Sequence, residues 1–227
     1  MDITFIKRLI TTSIGRKAVM AVSGLLLGGF MLVHLAENLL LFKGEAAYNG
    51  WVDLLLSNPV TPLLEIGLLF IFLAHIITGA WVRLEDFLNA PSGYEARNWQ
   101  GGRTIGSATM LYTAAAILAY LAYHMLTFRF TDHSMGFYQM VTGAFRSRMF
   151  TAIYVTGSAA LALHLSHGMQ SAFQTLGINH PKYTPLIKIG GILVAVLMTG
   201  FALISAYYLL GIDLKAAEAG YQVVIIR

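Results

Sequence analysis

The sequence predicts an all-α polytopic membrane bundle of five transmembrane helices, and three observations predict it. Its 227 residues are 57% hydrophobic and only 11% charged, too apolar to cover an ordinary water-facing surface. The apolar residues gather into five runs between charged or Pro- and Gly-containing breaks. Each run reaches the roughly 20 residues that cross a ~30 Å hydrocarbon core as a helix, and none alternates as a half-buried strand does. A helix also satisfies its own backbone polar groups in lipid.

The first run, Ala18 to Phe42, follows Arg16 and Lys17 much as the apolar part of a secretory leader follows its basic part. It is too long for a leader and contains His34, Glu37 and Asn38, so it is read as a span. The second, Pro59 to Val82, opens on two prolines and carries Glu65 and His75. The third, Ile105 to Phe128, carries His124 and ends against Arg129; the fourth, Met149 to Phe173, carries His164 and His167. The fifth, Leu186 to Leu210, holds no histidine. Trp51, Trp81 and Trp99 fall near span ends, where aromatic belts form. No tandem repeat, low-complexity tract or long linker divides the chain, so residues 1–227 are read as one bundle.

Loop charges orient it. With the N-terminus in the cytoplasm, Lys7, Arg8, Arg16, Lys17, Arg83, Arg97, Arg103, Lys182 and Lys188 lie inside, against Lys43, Arg129, Arg146, Arg148, Lys215 and Arg227 outside. This bias favours an N-inside chain in the cell (inner) membrane. The net charge of +4 suits anionic lipid or an acidic partner rather than nucleic acid. Cysteine is absent, which excludes a Cys-ligated iron–sulfur cluster, covalent haem attachment and thiol chemistry on this chain.

Of seven histidines, His133 and His180 fall in loops and five lie within spans. An ionisable side chain inside a membrane is costly and faces the bundle interior, so each is a functional candidate. Depth sorts them. Successive spans run in opposite directions, so His34 and His124, both past the midpoint of outward-running helices, share an outer level. His75 and His164, slightly past the midpoint of inward-running helices, share an inner one. Two imidazole pairs at two depths are what two bis-histidine haems require, since low-spin haem iron takes one axial ligand from each side. Without cysteine these haems would be non-covalent, b-type. Gly157, Ala160, Gly168 and Ser171 lie within about 40° of His164 on one stripe. Such a stripe either admits a macrocycle or seats a neighbouring helix. The stripe of His34 holds Ser23, Leu27, Met31 and Asn38, and that of His124 holds Thr113, Ala116, Ile117 and Tyr120.

The segments SIGRKAVMAVSGLLLGGFMLVHLAENL, LLEIGLLFIFLAHIITG and HLSHGMQSAFQTLGIN carry a resemblance over nearly the whole chain. The chain resembles the five-helix, dihaem cytochrome b anchor subunit of succinate:quinone oxidoreductases and fumarate reductases, which has one histidine on each of its first four spans. The resemblance implies the same pairing, first span with third and second with fourth. It implies His164 as the ligand, in the pattern His-x-Ser-x-Gly formed by His164, Ser166 and Gly168, with His167 beside it near a propionate or a partner subunit. His167 as ligand would shift the coordinating nitrogen by about 60° and ~4.5 Å. By the same resemblance, a flavoprotein subunit interconverts succinate and fumarate, and an iron–sulfur subunit docks on the cytoplasmic face. Electrons then pass to or from menaquinone or ubiquinone near the outer surface.

Quinone chemistry moves protons, so a carboxylate near the outer haem is expected. Glu65 is the first candidate, with Glu37, Glu45 and Asp53 as alternatives; Glu65 is equally placed to serve as a helix N-terminal carboxylate after Pro59 and Pro62. Arg83 and Arg129, which end ligand-bearing spans, are read as propionate partners, and Arg97 as an interfacial anchor. Two rivals stay open: a haem-free transporter using intramembrane His, Glu37 and Glu65 as a proton relay, and the cytochrome b anchor of another respiratory complex, such as a hydrogenase or formate dehydrogenase.

Overall fold

A computed structural model describes residues 7–9, 11–89 and 104–211. Arg97, Trp99, Arg103, Lys215, Arg227 and the tail from Asp213 lie outside the described residues. Among those described, the chain is helical, without strands: α1 Ser13–Asn38, α2 Glu45–Ser57, α3 Thr61–Leu88, α4 Ile105–His124, α5 Phe137–Phe145, α6 Arg148–Thr175, α7 Thr184–Met198 and α8 Gly200–Leu210.

Five helical stretches are long and apolar enough to cross a membrane: Ser13–Lys43, Thr61–Leu88, Ile105–Arg129, Arg148–Thr175 and Thr184–Leu210. All five differ from the expected bounds, and the first two differ most. The first begins at Ser13, because the Thr12 side chain accepts the Gly15 N–H (3.0 Å) and caps the helix there. The second runs on to Leu88, which leaves Arg83 exposed within the helix rather than ending it. The fifth is interrupted. The Thr199 hydroxyl donates to Val196 O (2.6 Å) and tightens the turn between α7 and α8. A side chain at Gly200 would meet Leu35 at 3.0 Å, so this turn lies directly against the first span.

The packing is that of a bundle meant for lipid. Its interior holds small and hydroxyl-bearing residues, among them Ala21, Ser23, Thr113, Ser158, Ala160 and Ser205, while Leu63, Phe70, Leu193, Val196 and Leu203 are exposed. So large an apolar exterior has no counterpart in a water-soluble monomer. The fourth span, α6, lies centrally against the first, the third and both parts of the fifth.

The short helices α2 and α5 replace what the sequence reading treated as loops. Each follows a glycine at positive φ, Gly44 (95°) and Gly136 (85°), where the chain turns sharply into the helix. They pack together through Tyr48 and Tyr138, and the Asn49 side chain accepts the Tyr138 N–H (2.9 Å). With Leu41, Val141, Phe145, Tyr154 and Met198 they close the bundle at the Lys43 end.

Candidate functional site

The four single-span histidines form two pairs. His34 on α1 faces His124 on α4, with ring centroids 6.0 Å apart, and His75 on α3 faces His164 on α6 at 6.3 Å. The α1 and α4 helices set the distance between pairs. Ser23, which contacts His75, precedes His34 by three turns on α1; Thr113, which contacts His164, precedes His124 by the same interval on α4. That interval rises about 16 Å and returns to within about 20° of the same face, so both pairs line one interior seam at two levels.

The outward-turned ring nitrogens are held. The Nδ1 of His75 lies 3.1 Å from Met20 O and 3.4 Å from the Ser23 hydroxyl. The carbonyl can only accept, and the Ser23 hydroxyl already donates to Val19 O (2.7 Å), so Nδ1–H is the donor. His164 repeats the arrangement: its Nδ1 lies 3.3 Å from the Thr113 hydroxyl, which donates to Thr109 O (3.0 Å). The Nδ1 of His124 meets the Tyr154 phenol at 3.0 Å, and that of His34 faces the Glu37 carboxylate at 3.6 Å. For His75 and His164 the proton is thus on Nδ1, which leaves the lone pair on Nε2, the nitrogen available to a metal. A second group that fixes tautomer and ring orientation is the usual companion of a metal-bound histidine.

These dimensions test whether the pairs fit an iron porphyrin. A metal–imidazole bond is about 2.0–2.1 Å and the ring centre lies ~1.2 Å behind the nitrogen, so imidazoles sharing one metal from opposite sides stand ~6.4 Å apart. The observed 6.0 and 6.3 Å fit. Two axial nitrogens are also what a porphyrin-bound iron takes from protein. Among the described residues no three His, Asp or Glu side chains gather as a site built from protein donors alone would need.

Room for the His75 ring comes from Gly24, where a Cβ would stand 2.9 Å from Cε1. Neither Gly24 nor the Nδ1 partners Tyr154 and Met20 figured in the sequence reading. Of the two readings of the Gly157 stripe, the structure has the neighbouring helix there: Tyr120 covers Gly157, and a Cβ would meet its ring at 2.5 Å. The face of Gly168 is open, with nothing within 4 Å of a Cβ. His167 does not oppose His75; it is half-buried near the start of α4, where Gly106 lets the two helices close on its Cβ.

The charged candidates divide. Glu65 is exposed and forms an ion pair with Arg129 (3.2 Å) across the second and third spans. Glu37, rather than Glu65, is the carboxylate beside a paired histidine. Arg129 follows His124 across a π-helical turn, Met125–Arg129, in which the Phe130 N–H reaches Met125 O (3.0 Å). Such turns recur at functional sites. At the opposite end Arg16 pairs with Glu85 and lies 5.6 Å over the Trp81 ring.

No protein-family model, curated protein or solved structure matches the chain. The histidine geometry is thus what bears on its chemistry.

Proposed function

We propose that the chain is the membrane-anchor cytochrome b subunit of a succinate:quinone oxidoreductase or fumarate reductase, holding two haems b and passing electrons between an iron–sulfur subunit and a membrane quinone. The supporting observation is the two opposed imidazole pairs, metal-sharing in separation, each turned outward by its Nδ1 onto a polar group. Haem supplies reversible one-electron chemistry at its iron. The residues of this chain do the positioning. His34 with His124, and His75 with His164, would hold the two haem irons; Met20 O, Thr113 and Tyr154 position the rings of His75, His164 and His124; and the apolar spans exclude water.

By the resemblance, the flavoprotein and iron–sulfur subunits meet the Ser13 end on the cytoplasmic side of the cell membrane, nearer the His75 pair. Quinone reacts toward the Lys43 end, nearer the His34 pair. The absence of cysteine suits this division, because clusters must then come from another subunit. Glu37 beside His34, and Glu65 with Arg129, are the groups placed to accept or release a quinone proton at that end.

The deciding experiment is a pyridine haemochrome assay on the purified protein. Two haems b per chain are expected, with one lost in each of His34→Ala, His75→Ala, His124→Ala and His164→Ala and both kept in His167→Ala. Absence of a reduced b-type band would remove the redox reading and leave the proton-relay transporter. Loss in His167→Ala with retention in His164→Ala would reassign the ligand.

A further inference from the structure

We infer that the groove between the third and fourth spans binds an anionic phospholipid, one acyl chain lying in the groove and the phosphate held at its mouth by Arg146 and Arg148. The groove, about 470 Å³, has Ala116, Ala119 and Tyr123 on α4 and Ala152, Ile153 and Thr156 on α6 as its walls. Small side chains hollow it. Tyr120, seated on Gly157, makes its floor. The one α6 hydroxyl along it, that of Thr156, donates to Ala152 O (2.8 Å), so a methyl rather than a polar atom is left for an occupant. Along α6 the lining runs from Met149 to Gly157, about 12 Å from the helix end into the hydrocarbon region. A straight, apolar, laterally open slot of that depth suits a lipid chain.

The charge at the mouth selects the headgroup. Arg148 is the first residue of α6 and lies one turn before Ala152 on the same helical stripe. Arg146 is two residues earlier. Both are exposed, and neither has an ion-pair partner among the described residues. The first turn of α6 holds no acidic residue, so two cations stand at the positive end of a helix dipole, where they repel one another and the helix terminus. A phosphate there relieves all three charges at once. This site does not depend on the haem reading.

The test uses the full chain, purified in detergent, stripped of lipid and re-supplied with phosphatidylglycerol or phosphatidylcholine, with retained lipid quantified by native mass spectrometry. About one phosphatidylglycerol per chain is expected, retained several-fold over phosphatidylcholine. Arg148→Gln should weaken that retention about fivefold, and Arg148→Lys by less than about twofold, since the charge carries the effect. Ala152→Phe, at an exposed position where the ring fills the slot without disturbing the interior, should abolish retention of both lipids. Equal retention of the two lipids by the wild type, unchanged phosphatidylglycerol in Ala152→Phe, or an isoprenoid quinone recovered from the groove in place of phospholipid would each overturn the proposal.

Discussion

The phenol of Tyr154 on the fourth span lies 3.0 Å from Nδ1 of His124 on the third, and Tyr154 is only 4% exposed. Two helices thus fix the orientation of one imidazole. Removing a group of this kind typically costs 10–100-fold in metal affinity. Tyr154→Phe keeps the ring packing and deletes only the oxygen. Haem titration should therefore show one of two haems bound 10–100-fold more weakly, with the other unchanged.

Gly24→Ala separates stability from cofactor binding. In a helix interior alanine gains about 1 kcal/mol over glycine. The new Cβ would nevertheless stand 2.9 Å from His75 Cε1 and 3.2 Å from Nδ1, so the ring must swing away from Met20 O. Thermal unfolding of the detergent-solubilised apoprotein should be unchanged or raised, while haemochrome yield falls toward one haem per chain. Full yield would show that the ring position tolerates the methyl.

Two ion pairs tie the second span to its neighbours, and exposure ranks them. The Arg16 and Glu85 side chains are 11% and 30% exposed, and those of Arg129 and Glu65 53% and 48%. Truncating one partner of an ion pair costs more the less solvent reaches the pair. Glu85→Ala should therefore cost about 2 kcal/mol or more, with Arg16 left over Trp81. Arg129→Ala should cost about 0–1 kcal/mol. Denaturant midpoints of the two variants should keep this order.

Tyr48 gives the closing helices a pH limit. Burial, and secondarily the charge of Glu37, pushes its phenol up to about 12. A group whose folded value is raised stabilises the fold fully below its unfolded value, here about 10, and that contribution is lost as pH rises toward about 12. Ultraviolet titration of the wild type beside Tyr48→Phe should show one tyrosine, ionising well above its ordinary value, that the variant lacks. Glu37→Gln should move that tyrosine downward, and Tyr48→Phe should lessen, without abolishing, the alkaline loss of stability between those limits.

The five spans and the two histidine pairs were legible because they need only residue counts: length gives the crossing, and alternate direction gives relative depth. What was not legible depends on neighbours from other helices. Ser23 and Thr113 were grouped by stripe with His34 and His124 on their own helices, yet they touch His75 and His164 across the bundle. The stripe of Gly157 suits a macrocycle or a neighbouring helix alike, and nothing in a single helix announces that Tyr120 is what covers it. The helices α2 and α5 are too short to show as spans; only the glycines before them marked their start. The tie between Glu65 and Arg129 joins residues of two different spans, 64 apart in the chain, which no single helix announces.

Ser23 and Thr113 hold equivalent places in the two halves of the first four spans. Spans one and two carry a hydroxyl, an imidazole three turns on, and a returning imidazole that leans on the hydroxyl; spans three and four carry the same set. The chain is in this respect two like hairpins, each contributing half of both imidazole couples. On the haem reading proposed above, neither hairpin alone is competent, and the haems become the staples between them. Cut in the connection between Leu88 and Ile105, the two fragments should rejoin when co-expressed with haem supplied and drift apart in cells starved of it.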